Sequence, residues 1–248
     1  MSAATPEFSI SADADALARE AAQRFVAAAS AAGAARGRFT VALSGGSTPK
    51  ALFALLADAP YRDQIDWGHV HLFWGDERCV PPTDEQSNYR MTRETLIDKV
   101  AIPSAQIHRI PAEDPEPTRA ARAYATTLRQ LFALGDDEFP TFDLIHLGLG
   151  PEGHTASLFP GSPALRETRA LVAAPWVEKL GAHRVTLTPP VINAAREVQF
   201  LVAGAGKAEI VGQILHAPHD PDELPAQVVA PSPGKLVWLL DEAAAAQR

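Results

Sequence analysis

The chain has 248 residues, 46% of them hydrophobic, which is enough to build a large core in one α/β domain. A formal charge of −8 leaves no broad basic face of the kind nucleic acid requires, so no nucleic-acid partner is expected, and any phosphate must be met by cations gathered locally. The single cysteine, Cys79, excludes an internal disulfide. Residues 1–8 lack the basic start and apolar centre of a secretory leader, and no apolar run approaches the roughly 18 residues that span a bilayer, so a cytoplasmic protein without a membrane partner is expected.

In chain order, residues 13–32 place Leu17, Ala21, Phe25 and Ala28 at helical spacing, with Arg19, Glu20, Gln23 and Arg24 outward and Gly33 and Gly37 as the stop. Residues 39–43 then read as a buried strand, the first of the chain. Ser44-Gly45-Gly46-Ser47-Thr48-Pro49-Lys50 follows, ahead of the apolar run 51–57. Pro49 suits a first helical turn, and Ser47 or Thr48 suits the N-cap. A strand, a glycine turn and a helix N-terminus expose backbone N–H groups at a positive dipole end, which attracts anions. Good capping alone would not need two adjacent glycines and two hydroxyls, so Ser44, Gly45, Gly46, Ser47 and Thr48 are the candidate phosphate cradle. The Gly-Lys-Ser/Thr ending of a Walker loop is absent.

Residues 70–74 are a further strand, ending in Gly75-Asp76-Glu77-Arg78-Cys79-Val80-Pro81. These charges read as a turn past the strand's carboxyl end. Arg78 can grip a phosphate or carboxylate in bidentate fashion, and Asp76 can orient a water or a sugar hydroxyl. Cys79 has no nearby sequence partner that would activate it as a nucleophile. Residues 88–99 look helical, 106–110 form a short strand, 111–118 a loop, and 119–134 a helix with Tyr124, Leu128, Leu131 and Phe132 inward.

Residues 142–147 form a short apolar strand, followed by glycines at 148, 150 and 153 and then His154. Three readings compete. Gly148-x-Gly150-x-x-Gly153 matches the dinucleotide fingerprint, but Pro160 leaves no room for the long helix that fingerprint needs. A glycine turn carrying a solvated or core histidine is the plain structural reading. The favoured reading is a catalytic histidine on a substrate-binding turn at the carboxyl end of a strand, where open α/β sheets bind ligands. Further on, 170–174 is strand-like, 183–188 alternates, Pro189-Pro190 opens a helix through Ala195, and 198–203 is another buried strand. That strand ends in Gly204-Ala205-Gly206-Lys207, ahead of a helix at 208–215. A lysine in a first turn opposes the helix dipole unless it faces an anion, which makes Lys207 a candidate phosphate ligand. Residues 216–224 are an acidic loop, 236–240 a last strand, and 243–248 a tail.

Gly-Pro-Glu-Gly-His-Thr-Ala-Ser-Leu-Phe-Pro-Gly at 150–161 closely resembles the signature of the 6-phosphogluconolactonases, lactone hydrolases of the pentose phosphate pathway in the glucosamine/galactosamine-6-phosphate isomerase superfamily. Gly-Asp-Glu-Arg with Val-Pro at 75–81, and Ser87-Asn88-Tyr89 beyond it, are similar to the same family. The related glucosamine-6-phosphate deaminases continue differently after their Gly-His pair and typically carry an aromatic residue where Arg78 stands. One departure is Glu152, where the lactonases usually have aspartate. The resemblance spans residues 40–240.

The alternation of strands and helices predicts a three-layer α/β sandwich with a mostly parallel, doubly wound, Rossmann-like sheet, and the resemblance implies the same fold. It further implies hydrolysis of 6-phospho-D-glucono-1,5-lactone, with His154 as general base beside Glu152 and Asp76. In both sugar-phosphate families the phosphate is bound at the positions of 44–48 and Lys207. Arg184, before Val-Thr-Leu-Thr, resembles a family arginine, and either it or Arg78 joins the phosphate site. A sugar-phosphate lactone is thus the expected small-molecule partner of a monomer or small homo-oligomer. No redox cofactor is needed by such a substrate, and no histidine pair has metal-ligand spacing. The alternatives are a glucosamine-6-phosphate deaminase and a non-catalytic phosphosugar sensor. A sensor would carry a DNA-binding element ahead of the domain, and only about 38 mostly helical residues precede the strand at 39–43.

Overall fold

The computed structural model describes residues 5–248. The absence of a leader pattern over residues 1–8 concerns, in part, residues outside those described. The first half of the chain runs β1 (Glu7–Ser11), α1 (Ala14–Arg36), β2 (Phe39–Leu43), α2 (Ser47–Leu56), β3 (Val70–Trp74), β4 (Asp76–Arg78), α3 (Asn88–Thr95) and α4 (Pro117–Phe132). The second half runs β5 (Leu144–Leu147), β6 (Val172–Ala173), β7 (Trp176–Val177), β8 (Ala182–Leu187), α5 (Pro189–Asn193), β9 (Glu197–Val202), α6 (Ala208–His216) and β10 (Lys235–Asp241).

Six strands form one sheet in the order β1-β10-β9-β5-β2-β3, parallel at every pairing, with helices on both faces. This is the doubly wound α/β architecture expected from the alternation. A sheet covered on both faces needs strands that are apolar throughout, and every residue of β2 and β5 is buried. Between sheet and helices, Phe25 of α1 meets Phe39 edge to face at 5.2 Å, and Phe200 stacks on Trp238 at 4.1 Å. Each such fully buried ring contributes roughly 1.5–3 kcal/mol through the area it removes from water.

The sheet order places the site. From β2 the chain moves outward to β3, then crosses back over β2 to β5, and continues the other way to β9 and β10. The direction reverses between β2 and β5, which is the switch point where such sheets open a crevice at their carboxyl ends. The segments leaving β2 and β5 are 44–47 and 148–154, the two glycine turns.

The structure differs from the sequence reading in several places. The first strand is β1, at the sheet edge against β10, not the strand at 39–43. α1 runs through Gly33 to Arg36, and Gly37 ends it in the left-handed region at φ 69°. Asp76-Glu77-Arg78 is not a turn but strand β4, because its backbone pairs antiparallel with β8. β8 also pairs with β6 and β7, so a small antiparallel sheet stands beside the main one. Gly75 joins the two sheets: its N–H donates to Leu43 O and its O accepts from Leu187 N, each at 2.8 Å. The strand expected at 106–110 reduces to a single bridge between Leu72 and Ile107, and the helix read at 88–99 is α3 followed by a 3-10 turn at Ile97–Lys99. Among the described residues, no helix is long and apolar enough to cross a membrane.

Candidate active site

A cleft of about 510 Å³ opens at the switch point. All eleven candidate residues line it: Ser44, Gly45, Gly46, Ser47, Thr48, Asp76, Arg78, Glu152, His154, Arg184 and Lys207. They arrive from the ends of β2, β5 and β9 and from β4 and β8 of the small sheet, so the fold gathers what the sequence spreads over more than 160 positions.

One wall is the β2–α2 turn. The helix begins at Ser47, and its N-cap is Gly46, with φ 109°, a conformation that excludes a side chain. The expectation of Ser47 or Thr48 as N-cap is therefore corrected. Both sit in the first turn instead, and no side chain caps the helix. Pro49 is in that turn as expected. Gly45 is required for another reason: a Cβ there would stand 1.9 Å from Asn88 Oδ1. Ser44 Oγ is buried without a hydrogen-bond partner, among the described residues, on the lining of the cleft. An α-helix leaves its first N–H groups unpaired, so this wall offers amides and hydroxyls to an anion.

The facing wall carries the histidine. The β5 turn closes through Gly150 N–H to His154 O at 2.8 Å and Gly153 N–H to Gly150 O at 3.1 Å, with Gly153 at φ 80°. These two amides are spent inside the turn, so they do not serve as free donors to an oxyanion. The imidazole folds back over the turn so closely that a Cβ on Gly150 would lie 1.9 Å from Nδ1. Phe159 stacks on the ring at 4.1 Å between centroids, and Nδ1 lies 3.0 Å from Glu152 Oε2. Partial burial alone would raise the Glu152 pKa. Lys179, its own backbone N–H and the His154 ring outweigh this and bring it down to about 2. An ionised Glu152 must accept, so in the neutral imidazole Nδ1 carries the proton and Nε2 the lone pair.

The third wall is the small sheet. Arg78 and Arg184 are directly paired across β4 and β8. Like charges opposite one another destabilise a ladder, and the pair is better satisfied with an anion between them. Burial, and then the Arg78 charge, push the Arg184 guanidinium below its ordinary value. Asp76 is buried, with Oδ2 accepting from Ser157 Oγ at 2.6 Å and Oδ1 from Asn88 Nδ2 at 3.4 Å. Its neighbour Glu77 faces the other way, taking the N–H groups of Arg78, Asn88 and Tyr89 and the hydroxyl of Ser87. It anchors the start of α3 and does not line the cleft. Burial pushes the Glu77 carboxyl up, against those backbone donors. Burial likewise pushes the Cys79 thiol up, which disfavours the thiolate a nucleophile needs.

Lys207 ends a 3-10 turn just ahead of α6 and reaches Leu149 O with Nζ at 2.7 Å, beside the histidine turn. Four contributors had no role assigned from the sequence: Asn88 behind Gly45, Ser157 on Asp76, Phe159 on the imidazole, and Lys179 on Glu152 at 2.8 Å. Asn88, Ser157 and Phe159 lay inside the motifs that resemble the family, and Lys179 had no local signal.

Fold and site together define a class: a doubly wound α/β protein whose switch point holds an anion-compatible cradle facing a histidine–carboxylate pair. Residues 12–238 match the family model described as glucosamine-6-phosphate isomerases/6-phosphogluconolactonase, and the chain belongs to that family. It is similar to the 6-phosphogluconolactonase of Synechocystis sp., with 46% identity over 209 residues covering 84% of each chain. It is also similar to that of Mycobacterium tuberculosis, with 43% identity over 240 residues covering 95% of each. Among solved structures, the 6-phosphogluconolactonase of Trypanosoma brucei superposes with a TM-score of 0.87 at 32% identity, covering 98% of both chains.

Proposed function

We propose that this chain hydrolyses 6-phospho-D-glucono-1,5-lactone to 6-phospho-D-gluconate. The observation that carries the reading is the cleft itself, where the oriented His154–Glu152 pair faces the cradle of 44–48, Arg78, Arg184 and Lys207. The nearly full-length similarity to proteins named as lactonases supports it over the deaminase reading.

The phosphate lies at the N-terminus of α2, where the first-turn amides, Lys207 and one of the two arginines neutralise it. Binding at that end presents the lactone ring to His154. Nε2 removes a proton from a water as its oxygen attacks the carbonyl carbon. Charge builds on the carbonyl oxygen and is met by the cationic side chains of the cleft, an effect typically worth a few kcal/mol. As the tetrahedral intermediate collapses, the bond from carbon to ring oxygen breaks. The imidazolium then returns its proton to the departing oxygen, which leaves a hydroxyl and a carboxylic acid, and the acid releases its remaining proton to solvent. Glu152 holds Nδ1–H throughout and stabilises the imidazolium. Proton transfer of this kind contributes a factor of about 10²–10⁴. Asp76, bound by Ser157 and Asn88, keeps the β4 wall in register with the turn.

The test supplies the lactone in situ from glucose 6-phosphate and its dehydrogenase, subtracts spontaneous ring opening, and runs glucosamine 6-phosphate in parallel. Accelerated lactone opening without ammonia release is expected. Ammonia release would move the chain to the deaminases. Silence in both, with tight 6-phosphogluconate binding, would make it a sensor.

A further inference from the structure

Glu152 is held at both ends of its carboxylate. Oε2 meets His154 Nδ1 at 3.0 Å, and Oε1 accepts from Lys179 Nζ at 2.8 Å. Lys179 lies 27 residues further along the chain, on a 3-10 turn at Glu178–Leu180 that tips the β7–β8 hairpin. That hairpin is built to hold its tip. Trp176 and Val177 pair with His183 and Ala182, and Trp176 Nε1–H donates to Glu178 Oε2 at 2.8 Å. Gly181, at φ 56°, ends the turn with its N–H on Glu178 O.

We propose that Lys179 is a positioning residue for the general base, clamping the Glu152 carboxylate so that His154 keeps its Nδ1 proton on Glu152 and its Nε2 lone pair toward the lactone. The proposal rests on the lactonase reading above. Its physical basis is the length of the side chain at 152. A glutamate has one more rotatable bond than an aspartate, so more side-chain freedom must be lost to hold its carboxylate in one place. A carboxylate this long needs a second anchor to stay on Nδ1, and Lys179 supplies it from the other side. As a surface ion pair the contact would add little to stability, since the Lys179 side chain is 66% exposed. The Glu152 side chain is only 24% exposed, and its other oxygen is on the imidazole, so the contact acts on orientation and local charge.

The charged and titratable groups sharing this space are Lys207, Arg78, Arg184 and Asp76 across the cleft, with Glu178 and His183 on the hairpin. None of them bonds Oε1, so Lys179→Met removes one positive charge and one anchor and leaves the phosphate cradle in place. The expected result is a fall in kcat of about tenfold, as for a misplaced catalytic group. KM should stay within about twofold. Lys179→Arg restores most of the rate. In a Glu152→Gln background, Lys179→Met has no further effect, because the lysine acts through that carboxylate. Independently of turnover, the wild-type protein shows a low-field Nδ1–H proton of His154 by NMR, which Lys179→Met loses. Wild-type kcat, a raised KM with kcat retained, or additive losses in the double variant would each overturn the proposal. If the wild-type protein opens no lactone, the function reading fails, while the NMR signal still decides whether Lys179 clamps the Glu152–His154 pair.

Discussion

Gly150→Ala tests the geometry of the site without touching a group that does chemistry. Gly150 has no positive φ, so an alanine backbone is unstrained there, and only the added methyl acts. That methyl would stand 1.9 Å from His154 Nδ1 and 2.0 Å from Cε1. An ordinary contact needs about 3.5 Å, so the ring must retreat by about 1.6 Å. Phe159, stacked at 4.1 Å, closes one side, and the retreat breaks the 3.0 Å contact with Glu152. A misplacement of about 1 Å costs on the order of 10²-fold, and losing oriented proton transfer costs about 10²–10⁴-fold. We therefore expect kcat to fall by about 10²–10³, or about 2.7–4 kcal/mol in the barrier. KM should hold within about threefold, since 44–48 and Lys207 are untouched. The assay is steady-state lactone hydrolysis with spontaneous opening subtracted, and circular dichroism checks the fold. A Gly150→Ala enzyme with kcat within about fivefold of wild type would refute the placement of His154 as the base.

Lys207→Ala and Arg184→Ala should each raise KM about tenfold or more while leaving kcat nearly intact, as loss of a charge-assisted phosphate contact does; an unchanged KM removes that residue from the phosphate site. Stability should fall on acidification through His146, whose ring is fully buried on β5 with neither nitrogen paired among the described residues. Burial pushes its pKa down to about 4, against a weaker raising effect from Gln199. The folded ring stays neutral while the unfolded ring takes up a proton below about 6.5. This contribution is thus complete above that value and is lost progressively toward pH 4, on the order of 2 kcal/mol between pH 7 and pH 5. His146→Phe should flatten that part of the denaturant-derived stability profile, and an unaltered slope would contradict the assignment.

The strands that carry the site were legible because physics writes them plainly. β2, β3, β5, β9 and β10 lie in or at the ends of a sheet covered on both faces, so each is a short apolar run before a turn or a glycine. The glycine turns after β2 and β5 were legible for the same reason, and with them the candidate cradle and His154. β1 was not, since it is an edge strand in which Ile10 is 46% exposed and no apolar run marks it. β4 and β7 were obscure because short antiparallel strands are defined by distant partners. Asp76-Glu77-Arg78 reads as a polar turn until Thr186, Val185 and Arg184 are set against it. Glu77 and Asp76 are adjacent in sequence, yet β alternation sends one to α3 and the other to the cleft. Lys179 had no local signal at all, because its partner is 27 residues away and the hairpin that delivers it is short and irregular.

The most direct test of the central claim, that His154 is the general base of a lactone hydrolase, is a side-by-side measurement of kcat and KM for wild type and His154→Ala on freshly generated 6-phosphogluconolactone. The account predicts clear acceleration by the wild type, and a loss in kcat of at least about 10²-fold in the variant with KM largely kept. Equal turnover by the two proteins would contradict it.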